Sequence, residues 1–207
     1  MNLENYYYVF ESAVPSRLCD DLVAYGEQQA SQVALTGDFD GKVPEDQKDI
    51  SRLYKTRNSS IVWMNDPWIY NSIIPLVREA NQAAGWNFEW SKSENCQWTK
   101  YAESQHYTWH QDAWNKAYDK PNNPDNGLIR KLSVTVSLAD GDSYEGGDLE
   151  FDLRNNGDSS PCVITSEHAR KKGSVIVFPS FVWHRVAPVT KGVRYSLVIW
   201  NLGRPYV

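Results

Sequence analysis

From residue 86 onward the chain repeats one texture. Short runs rich in Trp, Tyr, Val and Ile alternate with clusters of turn residues, at 86–91, 95–101, 106–112, 131–138, 147–153, 162–165, 174–178, 181–187 and 193–201. β-Branched and aromatic side chains favour extended backbone, and runs this short and this closely spaced predict a sandwich or barrel. Pro, Asn, Asp and Gly clusters place turns at 121–127, 145–147 and 154–158. A sheet system of this size must close or double to protect its edges.

The first 85 residues read differently. Residues 6–10 form a strand pattern. A helix is predicted from Ser16, as N-cap with acids in the early turns, to about Ala30, with Leu18, Leu22 and Tyr25 on one face. Residues 36–52 are polar, with Gly and Pro, and read as a loop. Ser59–Met64 reads as a strand. Trp68–Ala84 reads as a helix with the stripe Ile69, Ile73, Leu76, Val77 and Ala80, kinked or divided at Pro75. The expected fold class is α+β, mainly β: a double-stranded β-helix (jelly roll) with an N-terminal helical layer. It forms one domain over 1–207, with helical support over about 1–90 and a jelly-roll core over about 91–203.

The 207 residues suit one sizeable core. A net charge of −5 leaves no basic footprint for nucleic acid. Cys19, Cys96 and Cys162 are odd in number and far apart, without a CxxC pair, so no disulfide framework is expected. The N-terminus has no basic, apolar leader pattern, and no run approaches the length of a membrane span. A cytoplasmic protein without membrane association is the expectation. Nine Trp and twelve Tyr are many for this length; aromatic rings fill cores, but they also line pockets and grip extended peptides.

The stretch YTWHQDAW, 107–114, carries the first chemical signal. On a strand, His110 and Asp112 project from one face, with Tyr107, Trp109 and Gln111 opposite. This pattern suits either a half-buried strand with a His–Asp hydrogen bond or a pair of metal ligands. The segment 173–200 then reads as three strands, Ser174–Phe178, Phe181–Ala187 and Val193–Trp200, with turns at 179–180 and 188–192. His184 lies on the middle strand and Arg194 ten residues on. As neighbours in a hairpin, both would look into one cavity. Two imidazoles and one carboxylate on one face of an ion form the facial set of non-haem Fe(II) oxygenases, which leaves coordination positions open. His106, four residues before His110, is too distant along a strand to share one ion and reads as a rim residue. His168 reads as a loop residue, and Arg170, Lys171 and Lys172 as a solvated turn.

His110-Gln111-Asp112, the distal His184, Arg194 at plus ten and the run 146–151, GGDLEF, together resemble the Fe(II)/2-oxoglutarate dioxygenases, and within them the prolyl 4-hydroxylase-like branch. The resemblance covers roughly 95–201 well and the N-terminal part loosely. It implies Fe(II) on His110, Asp112 and His184, with 2-oxoglutarate and O2 as co-substrates and ascorbate as a supporting reductant. It implies that Arg194, Tyr101 and Ser196 hold the distal carboxylate of 2-oxoglutarate, and that Tyr107, Arg130 and Trp200 contact substrate. Trp114, Tyr118 and Arg57, in the loops 36–58 and 113–130 expected at the cavity mouth, are further substrate-contact candidates. Many prolyl hydroxylases carry lysine where this chain has Arg194. The implied activity is hydroxylation of proline in a peptide or protein, with decarboxylation of 2-oxoglutarate to succinate. The alternatives are a hydroxylase of a free amino acid or other metabolite, and a non-catalytic metal-binding jelly roll.

Overall fold

The computed structural model describes residues 5–39, 42–113, 116–153, 163–165 and 167–206. The first part of the chain supplies β1 (Tyr8–Phe10), α1 (Ser16–Gln28), β2 (Gln32–Val33), α2 (Gln47–Thr56), β3 (Arg57–Asn58), β4 (Ser60–Met64) and α3 (Pro67–Ala83). The rest supplies β5 (Lys92–Ser93), β6 (Cys96–Tyr101), β7 (His106–His110), β8 (Ile129–Ser137), β9 (Tyr144–Gly146) and β10 (Leu149–Asp152). It ends with β11 (Val163–Thr165), β12 (Val175–Pro179), β13 (Trp183–Val186), β14 (Val189–Gly192) and β15 (Arg194–Gly203).

The large sheet runs β1-β12-β8-β15-β6-β4-β2, with β5 also paired to β15. The small sheet runs β11-β10-β13-β7-β3, and β14 pairs with β9 as a separate ribbon. Alternation along the strands divides the core into two layers. Val134, Val136, Leu197, Ile199 and Trp98 face the helices, against Leu22 of α1 and Ile69, Ile73 and Val77 of α3. On the other face, Ile176 and Phe178 of the large sheet meet Leu149 and Phe151 of the small one. Gly26 lets α1 lie close to the sheet, since a Cβ there would overlap the Trp98 ring.

Several local expectations change. Residues 36–52 are not all loop: α2 begins at Gln47, with the Asp46 side chain accepting from the Lys48 amide at 2.7 Å and Leu53 buried beneath a mostly polar helix. Residues 86–91 form no strand; Asn87 at φ 50° interrupts the extended backbone, although Trp86 and Phe88 are buried. Ser16 is the first helical residue rather than the cap, which is Pro15. α3 continues through Pro75 undivided. The segment 188–192 is largely strand β14, not a turn. The chain therefore leaves the small sheet after β13, pairs with β9, and enters the large sheet as β15. His184 and Arg194 thus sit on different sheets, not on neighbouring hairpin strands.

Arg170 is not a solvated turn residue. Its guanidinium donates to the carbonyls of Gly141, Tyr144 and Gly146 at 2.8 Å and to Asp148 at 2.5 Å, tying down the loop that carries the Gly146-Gly147 turn. The 154–158 turn and Cys162 lie outside the described residues. Among the described residues, no helix is long and apolar enough to cross a membrane.

Candidate metal centre and co-substrate pocket

The two sheets approach each other around a small cavity of about 40 Å³. The small sheet brings His110, at the end of β7, beside His184 on β13; the two residues are directly paired in register. Asp112 lies beyond the strand, not on it. Its amide and that of Ala113 both donate to the Ser180 carbonyl, at 2.9 and 2.8 Å, which turns the carboxylate toward the two rings. His110 Nε2 lies 3.7 Å from one Asp112 oxygen and His184 Nε2 lies 3.5 Å from the other. One ligand atom from each of the three residues falls within 4.8 Å of the others.

Neighbouring groups orient these ligands. His110 Nδ1 lies 2.8 Å from the Thr108 carbonyl and His184 Nδ1 lies 3.0 Å from the Val182 carbonyl. A carbonyl accepts only, so each Nδ1 carries the proton and each Nε2 offers its lone pair to the centre. Ser133 Oγ donates to Asp112 Oδ2 at 2.7 Å and touches Ser180 Oγ at 2.9 Å. Burial, and then the adjacent His184, push His110 down to about 3. Burial opposes ionisation of Asp112, but His184, His110 and Arg130 outweigh it and hold the carboxyl at about 2. At neutral pH the site therefore presents a neutral imidazole and an ionised carboxylate, the forms that bind a metal. Two nitrogens and one charged oxygen on one side, with open cavity opposite, fit Fe(II).

Ser133 was not singled out by the sequence, since its contact with Asp112 joins β8 to a loop 21 residues away. Outer-shell hydrogen bonds of this kind are worth about 10–100-fold in metal affinity. Ser133→Ala is expected to weaken Fe(II) binding by about that factor in an anaerobic titration, with the fold retained by circular dichroism.

Arg194 enters from the large sheet, 3% exposed, and its Nη1 donates to Ser196 Oγ at 3.1 Å. Tyr101 is its cross-strand partner, with the guanidinium carbon 5.4 Å from the ring centre. All three line the cavity that holds the His–Asp–His group. Gly147 supplies the space. At φ +65° it is the second glycine of the GGDLEF run, and a Cβ there would lie 3.1 Å from Arg194 Cδ and 2.9 Å from Val189 Cγ2.

Tyr107 does not face away. A bulge in β7 sets Tyr107 opposite Val186 while His110 stays opposite His184, so the two residues share a face despite their odd spacing. The Tyr107 ring stacks on His110 at 3.5 Å between centres. Arg57 follows it, 4.5 Å from the Tyr107 ring centre and lining the cavity. Trp200 also lines the cavity. Arg130 stands behind it, 3.9 Å from its ring centre, with Nε and Nη2 both donating to Glu94 Oε2. Tyr118 joins this group through a 2.6 Å bond to the other Glu94 oxygen and does not line the cavity. His106 does not line the cavity; its ring nitrogens lie near the carbonyls of Ser104 and Lys55, and His168 pairs with Glu11. Trp114 lies outside the described residues.

Relatives and solved structures extend this picture. A PKHD-type hydroxylase of Alteromonas mediterranea is 37% identical over 101 residues, 49% of this chain and 40% of that protein. Another, from Synechococcus, is 42% identical over 69 residues, 33% of this chain and 28% of that protein. The matched segments thus span well under half of these relatives. A Pseudomonas putida prolyl-4-hydroxylase superposes with a TM-score of 0.64 at 19% identity, covering 98% of this chain and 95% of that one. A prolyl hydroxylase from Trichoplax adhaerens, in complex with a hypoxia inducible factor peptide, superposes with a TM-score of 0.67 at 16% identity, covering 96% and 84%. At these identities the likeness shows the jelly-roll fold alone. The family model described as 2OG-Fe(II) oxygenase superfamily matches residues 96–201, the span that contains His110, Asp112, His184 and Arg194. The chain belongs to the 2OG-Fe(II) oxygenase superfamily, whose members work with Fe(II), 2-oxoglutarate and O2.

Proposed function

We propose that the protein hydroxylates proline within a peptide or protein, with His110, Asp112 and His184 holding Fe(II) and with Arg194, Tyr101 and Ser196 binding the distal carboxylate of 2-oxoglutarate. When bound, the iron and its co-substrates supply the oxidising power to place a hydroxyl group on an unactivated carbon. The chain's own residues position and shield that chemistry. The Nδ1 bonds keep both Nε2 atoms aimed inward, Ser133 holds one oxygen of Asp112, and Arg194 sets the direction from which a dicarboxylate enters. Asp112 would give the iron a carboxylate ligand where halide transfer needs that position free, which favours hydroxyl transfer.

The aromatic wall at one side of the cavity carries the peptide reading. Trp200 lines the cavity. Trp63 continues the wall outward, with its ring centre 6.2 Å from that of Trp200, and is 45% exposed. A wall that runs out to solvent suits an extended chain better than an enclosed metabolite. Aromatic faces pack on proline rings. Arg130, held by Glu94, keeps Trp200 in place.

Mass spectrometry of proline-containing peptides after incubation with iron, 2-oxoglutarate and ascorbate tests this reading. One added oxygen on proline is expected. Oxidation of free proline or another metabolite, with every peptide untouched, would replace it with the small-molecule hydroxylase. Trp200→Ala removes an anchor worth about 2 kcal/mol, or about 30-fold in affinity. The variant is expected to weaken peptide binding by that factor while the slow consumption of 2-oxoglutarate without substrate continues.

A further inference from the structure

Arg57 is a buried cation in the metal pocket that has no anion of its own. It opens β3, pairs across the strand with Tyr107, and is 5% exposed. Its Nε donates to Ser59 Oγ at 3.2 Å, and its guanidinium lies over the Tyr107 ring. Among the described residues no carboxylate pairs with it and no acceptor meets its terminal nitrogens. Arg194, in the same cavity, shares this lack of a carboxylate, whereas these arginines outside the lining are paired: Arg130 with Glu94, Arg170 with Asp148 and Arg185 with Glu150.

A charge inventory of the cavity sharpens the contrast. Its lining carries Arg57, Arg194 and Asp112. A divalent ion adds two positive charges, and 2-oxoglutarate adds two negative ones. One of these carboxylates reaches the metal and the other reaches Arg194, so Arg57 remains uncompensated. A buried guanidinium without an anion is unfavourable, and a ligand that supplies one gains by pairing with it. The free edge of the guanidinium is a planar fork that matches a carboxylate with two parallel bonds. The stack Arg57–Tyr107–His110 places that fork one aromatic ring away from a metal ligand.

We infer that Arg57 is a carboxylate-binding site for the substrate, so that the compound hydroxylated carries a carboxylate close to the carbon that reacts. This rests on the hydroxylase reading above. In a peptide the carboxylate is that of an acidic residue near the target proline; in a free amino acid it is the α-carboxylate.

Paired probes separate these sources. Calorimetric titration of the protein loaded anaerobically with Fe(II) and 2-oxoglutarate compares a proline peptide carrying Glu beside the proline with its Gln counterpart, and free proline with prolinamide. Each pair is measured on the wild type, on Arg57→Gln and on the charge-retaining Arg57→Lys. The binding of 2-oxoglutarate to each variant is titrated separately. The expected result is at least a tenfold preference for the acid over the amide in the wild type. That preference disappears in Arg57→Gln, is partly kept in Arg57→Lys, and leaves 2-oxoglutarate binding unchanged. Equal binding of acid and amide in both pairs overturns the proposal, as does failure of every acid probe to bind. Weakened 2-oxoglutarate binding in Arg57→Gln also overturns it, because the cation then serves the co-substrate. A preference confined to the free amino acid supports Arg57 while removing the peptide reading. Hydroxylation of Glu and Gln peptides alike removes the role of Arg57 while leaving prolyl hydroxylation intact.

Discussion

His184→Ala is expected to abolish turnover by removing the metal. The ring offers one of three atoms able to hold an ion, and it is packed in place between the Val182 carbonyl and the Phe178 ring, whose centre lies 4.7 Å away. Loss of an outer-shell contact costs about 10–100-fold in metal affinity, and loss of a ligand should exceed that. Two measurements separate metal loss from misfolding. Far-ultraviolet circular dichroism should match the wild type. Added Fe(II) should raise the melting temperature of the wild type, since an ion at 100 times its Kd stabilises by about 2.7 kcal/mol, and should leave the variant unmoved. A variant with full activity would mean that another residue holds the ion.

Arg194→Ala is expected to act on 2-oxoglutarate and not on iron. The guanidinium is buried, its cavity neighbours are Tyr101, Ser196 and Gly147, and among the described residues no carboxylate neutralises it. A dicarboxylate that pairs there loses about 3–5 kcal/mol when the arginine is removed, or about two to three and a half decades of affinity. The 2-oxoglutarate requirement should rise by that factor while Fe(II) affinity changes little. Unchanged dependence on 2-oxoglutarate would place the anchor elsewhere, with Arg57, the other buried cation lining the cavity, as the next to test.

What was legible in the sequence, and what was not, follows from the range of each signal. His110, Asp112, His184 and Arg194 stand out because chemistry restricts their residue types and spacing, and the fold gathers all four around one cavity. The paths that bring them together were less legible. Strand alternation placed Asp112 on β7 and turned Tyr107 away, but the strand ends at His110 and a bulge brings Tyr107 back. A bulge depends on the partner strand and leaves no local mark in the sequence. The hairpin expected to join His184 to Arg194 is instead two strands on facing sheets, because β14 finds a partner in β9 across 42 intervening residues. Long-range partners such as Ser133 with Asp112, or Glu94 with Arg130, have no periodic signature at all. Helix α2 was hidden for the opposite reason: it buries little beyond Leu53, so its polar composition resembles that of a loop.

The central claim is that one site, built from His110, Asp112, His184 and Arg194, takes both Fe(II) and 2-oxoglutarate. Anaerobic titration tests it most directly, by following the visible charge-transfer absorbance of a keto acid chelated to Fe(II). The expected result is a band that saturates at one iron and one 2-oxoglutarate per chain, is absent in His184→Ala, and needs far more 2-oxoglutarate in Arg194→Ala. Absence of the band in the wild type, or a band of full size in His184→Ala, would contradict the account.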